Sequence, residues 1–488
     1  MKRLIFVVSA ALVFAAEAKL EKVAEITVAN QQQVVAAANK IGEFINNPML
    51  GMLVSAQWSL NPIALDGVGA MRADGKPYAA IYVDGYKKGM PLERLDGKIH
   101  FVALYPAHCT KEQYLDAKPE AKETAGVIDF DNSGEIKVVF AEDGKYVAFS
   151  DRPELAKKAL AEVANIPNLP RNRVVGLRVT SAGMNILNDA VDGLNKELKL
   201  ELSEQDLESF RSIAGFTLTC GIGSYGVDYE INADYKPGSL ETKLGSKPLS
   251  SPVPLAFAGQ DAFFALAVAE DSSGFDMNDY FLKLVRFANK WGIETYWLKT
   301  EKDGGNVRLI LDITKFCMYV GLGAEKKFVE LSEKSDEILA DFNDTFKFAR
   351  STKNPEQGLA LCIKDAKFAD AQSRFDKTLP GYSRKPCTSA GVWSLYGTIY
   401  GTLNSFSEMF PSNVDDPDIS KMLSLVKTLP DVPDAAIAFA TIKQGPTKEK
   451  MIIRINPAEI KGLYPLVMEL SKQISSELSS SSGVDDEG

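Results

Sequence analysis

Residues Gly144–Val163, GKYVAFSDRPELAKKALAEV, form a complete strand-to-helix unit, and variants of it recur along the chain. Asp143-Gly144 closes a tight turn, because glycine takes positive φ at no steric cost. Tyr146–Phe149 then reads as a short apolar strand. Ser150 and Asp151 offer oxygens to the free N–H groups of a helix start. Pro153 suits the first helical turn, where no N–H is needed. Leu155, Ala159, Leu160 and Val163 share one helical face. Lys450–Leu466 repeats the grammar, with strand Met451–Ile455, cap Asn456, then Pro457, Ile460 and Leu463.

A chain built from such units is α+β: mainly antiparallel sheet with helices packed on one face. The strand-then-helix units near residues 100, 146, 174, 262, 359 and 451 suggest two related lobes. The length, 488 residues, exceeds what one core usually organises. Lys247–Pro254 (KPLSSPVP) is the expected boundary. It divides an N-terminal lobe, residues 19–247, from a C-terminal lobe, residues 252–474. The Ser-rich, acidic tail 475–488 is expected to be disordered.

The first 18 residues have the form of an export signal. Lys2 and Arg3 precede the uncharged stretch Leu4–Ala15, and Ala16-Glu17-Ala18 is a small-x-small cleavage site. The stretch is too short for a membrane span. Cleavage after Ala18 would place the mature chain in the periplasm or outside the cell. Nothing beyond it approaches the length of a transmembrane helix, so the mature chain is expected to be soluble. A net charge of −10, with no dense basic run, argues against nucleic acid as a partner.

Within this frame the elements follow in order. Gln31–Ile45 is a helix whose apolar face holds Val34, Val35, Ala38, Ile41, Phe44 and Ile45, and Asn46-Asn47-Pro48 ends it. Strands are expected at Tyr78–Val83, Ile99–Leu104, Gly126–Phe130, Glu135–Phe140 and Lys145–Phe149, with Thr110 capping a short helix, Lys111–Ala117. Val174–Val179 leads through cap Ser181 into a helix to about Leu198. Ser203-x-x-Asp206 opens another helix, and Phe216–Cys220, Gly226–Asp234 and Ser239–Leu244 form a meander. In the second lobe, Ala262–Val268 is a strand and Asp276 caps an amphipathic helix. Tyr296–Lys299 and Val307–Leu311 make a hairpin, Glu325–Phe348 is a long helix, and Gly358–Cys362 and Ala435–Thr441 are strands.

Several stretches resemble chemistry. Gly221-Ile222-Gly223-Ser224-Tyr225-Gly226 matches G-x-G-x-x-G, but the chain continues as a strand instead of opening a helix. A glycine-rich hairpin is the better reading. Asp129–Ile136 resembles the first half of a calcium loop, yet the twelfth position is Phe140, not a bidentate acid, so a polar turn is favoured. His100 and His108 are the only histidines. With no recognisable partner motif for either, both read as structural. The five cysteines, Cys109, Cys220, Cys317, Cys362 and Cys387, lack zinc spacing. Cys362 and Cys387, closest in sequence, are the candidate disulfide. Trp393–Phe410, with Trp393, Tyr396, Tyr400 and Phe406, offers a stacking surface for a glycan or protein, or simply core aromatics.

The texture of YVAFSDRPELAKKAL behind a signal peptide resembles uncharacterised secreted bacterial proteins of the domain-of-unknown-function type. That resemblance implies export and an α+β fold, and carries no activity. Sequence reading therefore assigns no catalytic, cofactor or metal residue and no cofactor. The expected role is a non-enzymatic cell-envelope protein acting by binding or assembly, with an envelope protein, small molecule or glycan as partner. Two alternatives are a two-lobed extracytoplasmic ligand-binding protein and a carboxylate-dependent hydrolase, the latter needing only two acids at a set separation.

Overall fold

The computed structural model describes residues 20–59, 71–86, 97–119, 121–130, 135–197, 204–239, 255, 262–268, 294–299, 307–313, 316–322, 346–350, 358–363, 368–385, 387–409 and 417–481. The signal sequence, the Lys247–Pro254 stretch, the helix expected after Asp276 and residues 482–488 lie outside them. The protein is mixed helix and antiparallel sheet, 36% helical and 35% strand. The chain divides into two compact units. The first takes residues 1–224, 228–246 and 443–451; the second takes 225–227, 247–442 and 452–488.

The first unit begins with β1 (Glu21–Val28), followed by the helices α1 (Gln31–Phe44) and α2 (Leu50–Ser59). Strands β2 (Tyr78–Val83) and β3 (Ile99–Pro106) come next, then α3 (Lys111–Ala117). The short strands β4 (Glu123–Thr124), β5 (Val127–Asp129) and β6 (Lys137–Phe140) lead to β7 (Tyr146–Ser150) and α4 (Pro153–Ala161). Strand β8 (Arg173–Val179), helices α5 (Ser181–Glu197) and α6 (Glu204–Ser212), and strands β9 (Ile213–Gly223) and β10 (Gly226–Tyr235) complete it. Spatial order is β10-β9-β8-β1-β2-β3-β7-β6-β5-β4. Each pairing with a recorded register is antiparallel.

Helices pack on both faces of this sheet, not on one. Trp58 of α2 and Tyr114 of α3 bury with Tyr105, Val147 and Phe149 on one side. Leu155, Ala156 and Ala159 of α4 bury with Tyr78, Val102, Leu104 and Ala148 on the other. Consecutive residues of β7 therefore bury without the in–out alternation of a one-sided sheet. Three caps explain local starts. Asn30 Oδ1 accepts the Gln33 amide at 3.1 Å. Thr110 and Gln113 form a reciprocal capping box. For α5 the cap is Thr180, whose Oγ1 accepts the Gly183 amide at 3.2 Å, so the expected cap Ser181 is already helical.

The second unit contains β11 (Ala262–Val268), β12 (Glu294–Lys299), β13 (Val307–Ile313), β14 (Phe316–Leu322), β15 (Phe346–Arg350) and β16 (Gly358–Ile363). It continues with α7 (Ala371–Thr378), β17 (Ser389–Trp393), α8 (Leu395–Met409), α9 (Pro417–Thr428), the first part of β18 (Ile437–Gly445), the last part of β19 (Lys448–Ile455) and α10 (Pro457–Ser481), while residues 443–451 of β18 and β19 belong to the first unit. The order β15-β16-β11-β17-β18 makes its main sheet, and β12-β13-β14 form a separate three-stranded sheet. Phe346–Phe348, read from sequence as the end of a helix, are strand. Helix α10 runs to Ser481, so residues 475–481 are helical instead of disordered. An alanine layer on β11, β17 and β18 (Ala265, Ala267, Ala390, Ala438, Ala440) meets Ala371, Phe375 and Leu379. Small side chains there let α7 lie close to the sheet.

Candidate functional site

A row of polar side chains crosses the first unit's sheet on the face that α4 covers. Strand alternation sets this row: Tyr78 and Tyr82 of β2 and His100, Val102 and Leu104 of β3 all point to one side. Glu25 of β1 is 5% exposed. Its Oε2 accepts from Tyr78 Oη at 2.8 Å and from Lys22 Nζ at 3.0 Å, while Arg178 Nη1 reaches its Oε1 at 3.3 Å. Desolvation pushes the Glu25 carboxyl up, but the bonds and charges of Lys22, Tyr78 and Arg178 outweigh it and hold it below the usual carboxylate range. The same carboxylate, after burial, drives the Tyr78 phenol far above its ordinary value.

The row ends at the β7–α4 joint. His100 is buried, and its Nδ1 contacts the Asp151 carboxylate and lies 3.2 Å from Arg152 Nε. Asp151 Oδ1 also accepts the Phe101 amide at 3.0 Å. Arg152 Nη2 binds Asp84 at 3.0 Å, and Nη1 lies 3.8 Å from Glu154. Ser150 is fully buried; its Oγ donates to the Phe101 carbonyl and accepts the Arg152 amide at 3.1 Å. Its hydroxyl is therefore held by backbone and is not presented to His100. His100 Nε2 is buried and has no hydrogen-bond partner. Among the described residues, His100 Nδ1 is bonded to Asp151 and Arg152 and to no hydroxyl or thiol. Ser150 and Asp151 do not cap α4 as expected. Arg152 occupies the cap position with no side-chain cap bond.

Other buried charges are bound to their surroundings. Arg173 pairs with Asp228 and, at 3.0 Å, with Glu230, which also meets Lys450 at 2.7 Å. In the second unit the fully buried Arg374 donates Nε to the Ala369 carbonyl at 2.9 Å and further N–H groups to the carbonyls of Ala435 and Ala262. Glu459, also fully buried, accepts the Ser394 hydroxyl at 2.9 Å and the Tyr396 amide at 2.7 Å. Such pairing is what burial of charge demands. Among the described residues, no group of three or more His, Cys, Asp or Glu side chains is placed to hold a metal ion.

Among the described residues, two helices expose clustered large apolar side chains: α10 with Val467 and Met468, and α2 with a longer stripe that starts at Met49 in the turn before it. Met49, Met52 and Leu53 are 50%, 55% and 53% exposed, and Ala56 continues the stripe at helical spacing. Helix α2 packs on α1 by close approach, since a Cβ at Gly51 would meet the Asn39 side chain; a Cβ at Gly42 would meet the Asn47 carbonyl of the connecting turn. Its other side sends Trp58 into the core. No charged residue occurs between Glu43 and Asp66. Sequence reading stopped the helical region at Pro48 and missed α2; the charge-free run was the signal for it.

The remaining motifs resolve simply. The G-x-G-x-x-G stretch is the turn between β9 and β10, which are neighbouring strands. In the calcium-like run, Asp129 pairs with Lys137 at 2.5 Å, and residues 131–134 lie outside the described set. His108 is exposed, away from the His100 cluster. Cys387 is a buried free thiol, so the candidate pair with Cys362 is not formed; its Sγ faces the Tyr382 carbonyl at 3.8 Å. Within Trp393–Phe410, Tyr396 is buried and stacks on Tyr400, with centroids 5.7 Å apart, while Trp393 lies at the surface.

No protein-family model matches the chain, and no curated protein matches it. A solved structure described as crystal form I of TP0453 aligns over 62% of this chain and 90% of that one. Identity is 11% and the TM-score 0.21, a likeness that carries no argument. Among the described residues, no helix is long and apolar enough to cross a membrane.

Proposed function

We propose that this chain is an exported, non-enzymatic α+β protein of the cell envelope that acts by binding or assembly, with the α2 face as its contact surface. The observation that carries this reading is the stripe Met49, Met52, Leu53 and Ala56, apolar and exposed on a helix without charge. Methionine adapts its shape to a partner, and an exposed apolar stripe marks an interaction site. The occupant that fits is an apolar, uncharged segment of another envelope protein, since the chain's net charge of −10 penalises acidic surfaces while this face carries no charge. The signal-like first 18 residues support export. The repeated strand–proline–helix grammar at residues 146–161 and 451–466 supports two units of related plan.

A photo-crosslinking residue at Met52, in the exported chain within cells, tests the reading. The expected result is a discrete adduct that Leu53→Glu abolishes, with none from the same probe at the exposed Gln32 of α1. No adduct at position 52 overturns the contact surface. Substrate turnover by the mature chain that vanishes on replacing one acidic residue overturns the non-enzymatic role.

A further inference from the structure

We propose that Met49 and Met52 make the α2 face an oxidation-controlled contact, in which conversion of their thioethers to sulfoxides releases the partner. The inference rests on that face being the contact surface. The two sulfurs sit three residues apart on one stripe with Leu53 and Ala56, and both side chains are half exposed. The Leu53 amide donates to the Met49 carbonyl at 2.9 Å, which carries Met49 onto the spacing of the helix. The other methionines whose side chains are described differ. Met71 and Met184, 6% and 1% exposed, are buried, and Met451 in β19 is half-buried. Met468, 41% exposed, stands on another helix, α10. Access to the sulfur lone pair decides which thioether an oxidant reaches first, so the α2 face carries two of the most accessible sulfurs side by side.

The oxidant is a peroxide. A sulfur lone pair attacks one peroxide oxygen, so that the S–O bond forms and the O–O bond breaks. The departing hydroxide takes the proton of the transferred oxygen and leaves as water. Sulfur loses two electrons and the peroxide is reduced. The product is polar where the thioether was apolar, and methionine sulfoxide reductases return it. An apolar partner offers the sulfoxide oxygens no donor, so covering them costs desolvation that nothing offsets. Leucine at both positions would keep the stripe apolar without this sensitivity. Both side chains point away from the core that Trp58 enters, so oxidation leaves the packing of α2 in place.

The test places a diazirine analogue of leucine at position 53 of the exported chain in cells. Adducts are compared before and after brief exposure to dilute hydrogen peroxide, with peptide mass mapping of the same samples. Sulfoxide is expected at Met49 and Met52 while Met71 and Met184 stay reduced. The adduct is expected to fall about tenfold or more, the change that about 1.4 kcal/mol of binding produces. The chain with Met49→Leu and Met52→Leu together is expected to keep its adduct after peroxide, and Met468→Leu to lose it as wild type does. An adduct that survives oxidation of both methionines overturns the switch and leaves the contact surface standing. Equal loss from the double leucine chain, or oxidation of Met71 and Met184 ahead of Met49 and Met52, also overturns it. Absence of any adduct from the untreated chain overturns the contact surface, and the switch with it. Thermal unfolding of the purified, oxidised chain is expected to match the reduced one; a lowered midpoint places the effect in the core and overturns the switch.

Discussion

The carboxylate of Glu459, in the first turn of α10, accepts the backbone amide of Tyr396 at 2.7 Å and so caps α8 from a different helix. The Ser394 hydroxyl, which itself accepts the Gly397 amide at 2.8 Å, completes the arrangement. One buried acid thus satisfies donors that the start of α8 leaves open. Burial raises its carboxyl above the usual range, against the bonds it accepts. The folded protein therefore holds this proton to higher pH than the unfolded chain. From the unfolded value, about pH 4.3, up to the raised folded value, this group's contribution to stability falls as pH rises. Glu459→Gln is expected to remove that slope. Glu459→Ala is expected to cost about 3 kcal/mol, through unsatisfied buried donors, in urea unfolding.

Glu25 has the opposite sign. Its carboxyl is held low in the fold, so it stabilises above the unfolded value, and that contribution is lost as pH falls through the folded one. Tyr78→Phe deletes the 2.8 Å bond to a buried carboxylate. We expect a loss of about 1–3 kcal/mol at neutral pH, and acid unfolding that begins at higher pH than in wild type. Parallel denaturant curves from acid to neutral pH provide the measurement.

Two helices that share a sequence grammar should respond differently at their caps. Asn456 Oδ1 accepts the amides of Ala436 and Glu459, while Nδ2 donates to the Asp434 carbonyl and the Thr378 hydroxyl. Asn456→Ala is expected to destabilise by about 2–4 kcal/mol, since a cap and a buried network go together. Arg152 makes no side-chain cap bond, so Arg152→Ala is expected to cost less than about 1 kcal/mol, mainly its partly exposed pairing with Asp84.

Cys387 should react with a thiol reagent only on unfolding. It is 1% exposed, and burial raises its thiol, so little thiolate forms. Peptide mass mapping of oxidised, folded protein should recover Cys387 reduced; recovery in a mixed peptide with Cys362 would contradict the structure.

At the end of α1, Gly42→Ala drives a Cβ into the Asn47 carbonyl of the turn before α2, a backbone atom that cannot swing away. A loss of about 1–3 kcal/mol is expected. Leu53→Glu, on the exposed face, should change stability by less than about 0.5 kcal/mol while abolishing the proposed contact. Thermal unfolding of both variants separates scaffold from surface.

Local chemistry was legible where it was complete in itself. Tyr78–Val83 and the Thr110 helix stand where their patterns placed them. Asn456 caps α10 because a cap and its amide lie three residues apart. Strand β1 was missed because EKVAEITV mixes charge with apolar residues; Glu25 is buried only because Lys22, Tyr78 and Arg178 converge on it from three strands. The candidate cluster was half visible. Ser150 and Asp151 stand out in the sequence as one polar segment before Pro153, while His100 has no partner motif within its own stretch. Its partners are Asp151 and Arg152, about fifty positions away and brought into register by the pairing of β3 with β7.

Short-range preferences set the grammar of this protein: antiparallel strands closed by tight turns, and helices opened by proline and polar caps. These depend on φ preference, side-chain period and capping, all set within a few residues. Tertiary structure alone decided which acid meets which base, that the first unit's sheet is covered on both faces, that Cys387 stays free, and that α2 turns Trp58 inward and Met52 outward. Those outcomes depend on contacts between distant segments, and the energy of a buried charge or an exposed methionine is fixed by what the rest of the chain places beside it.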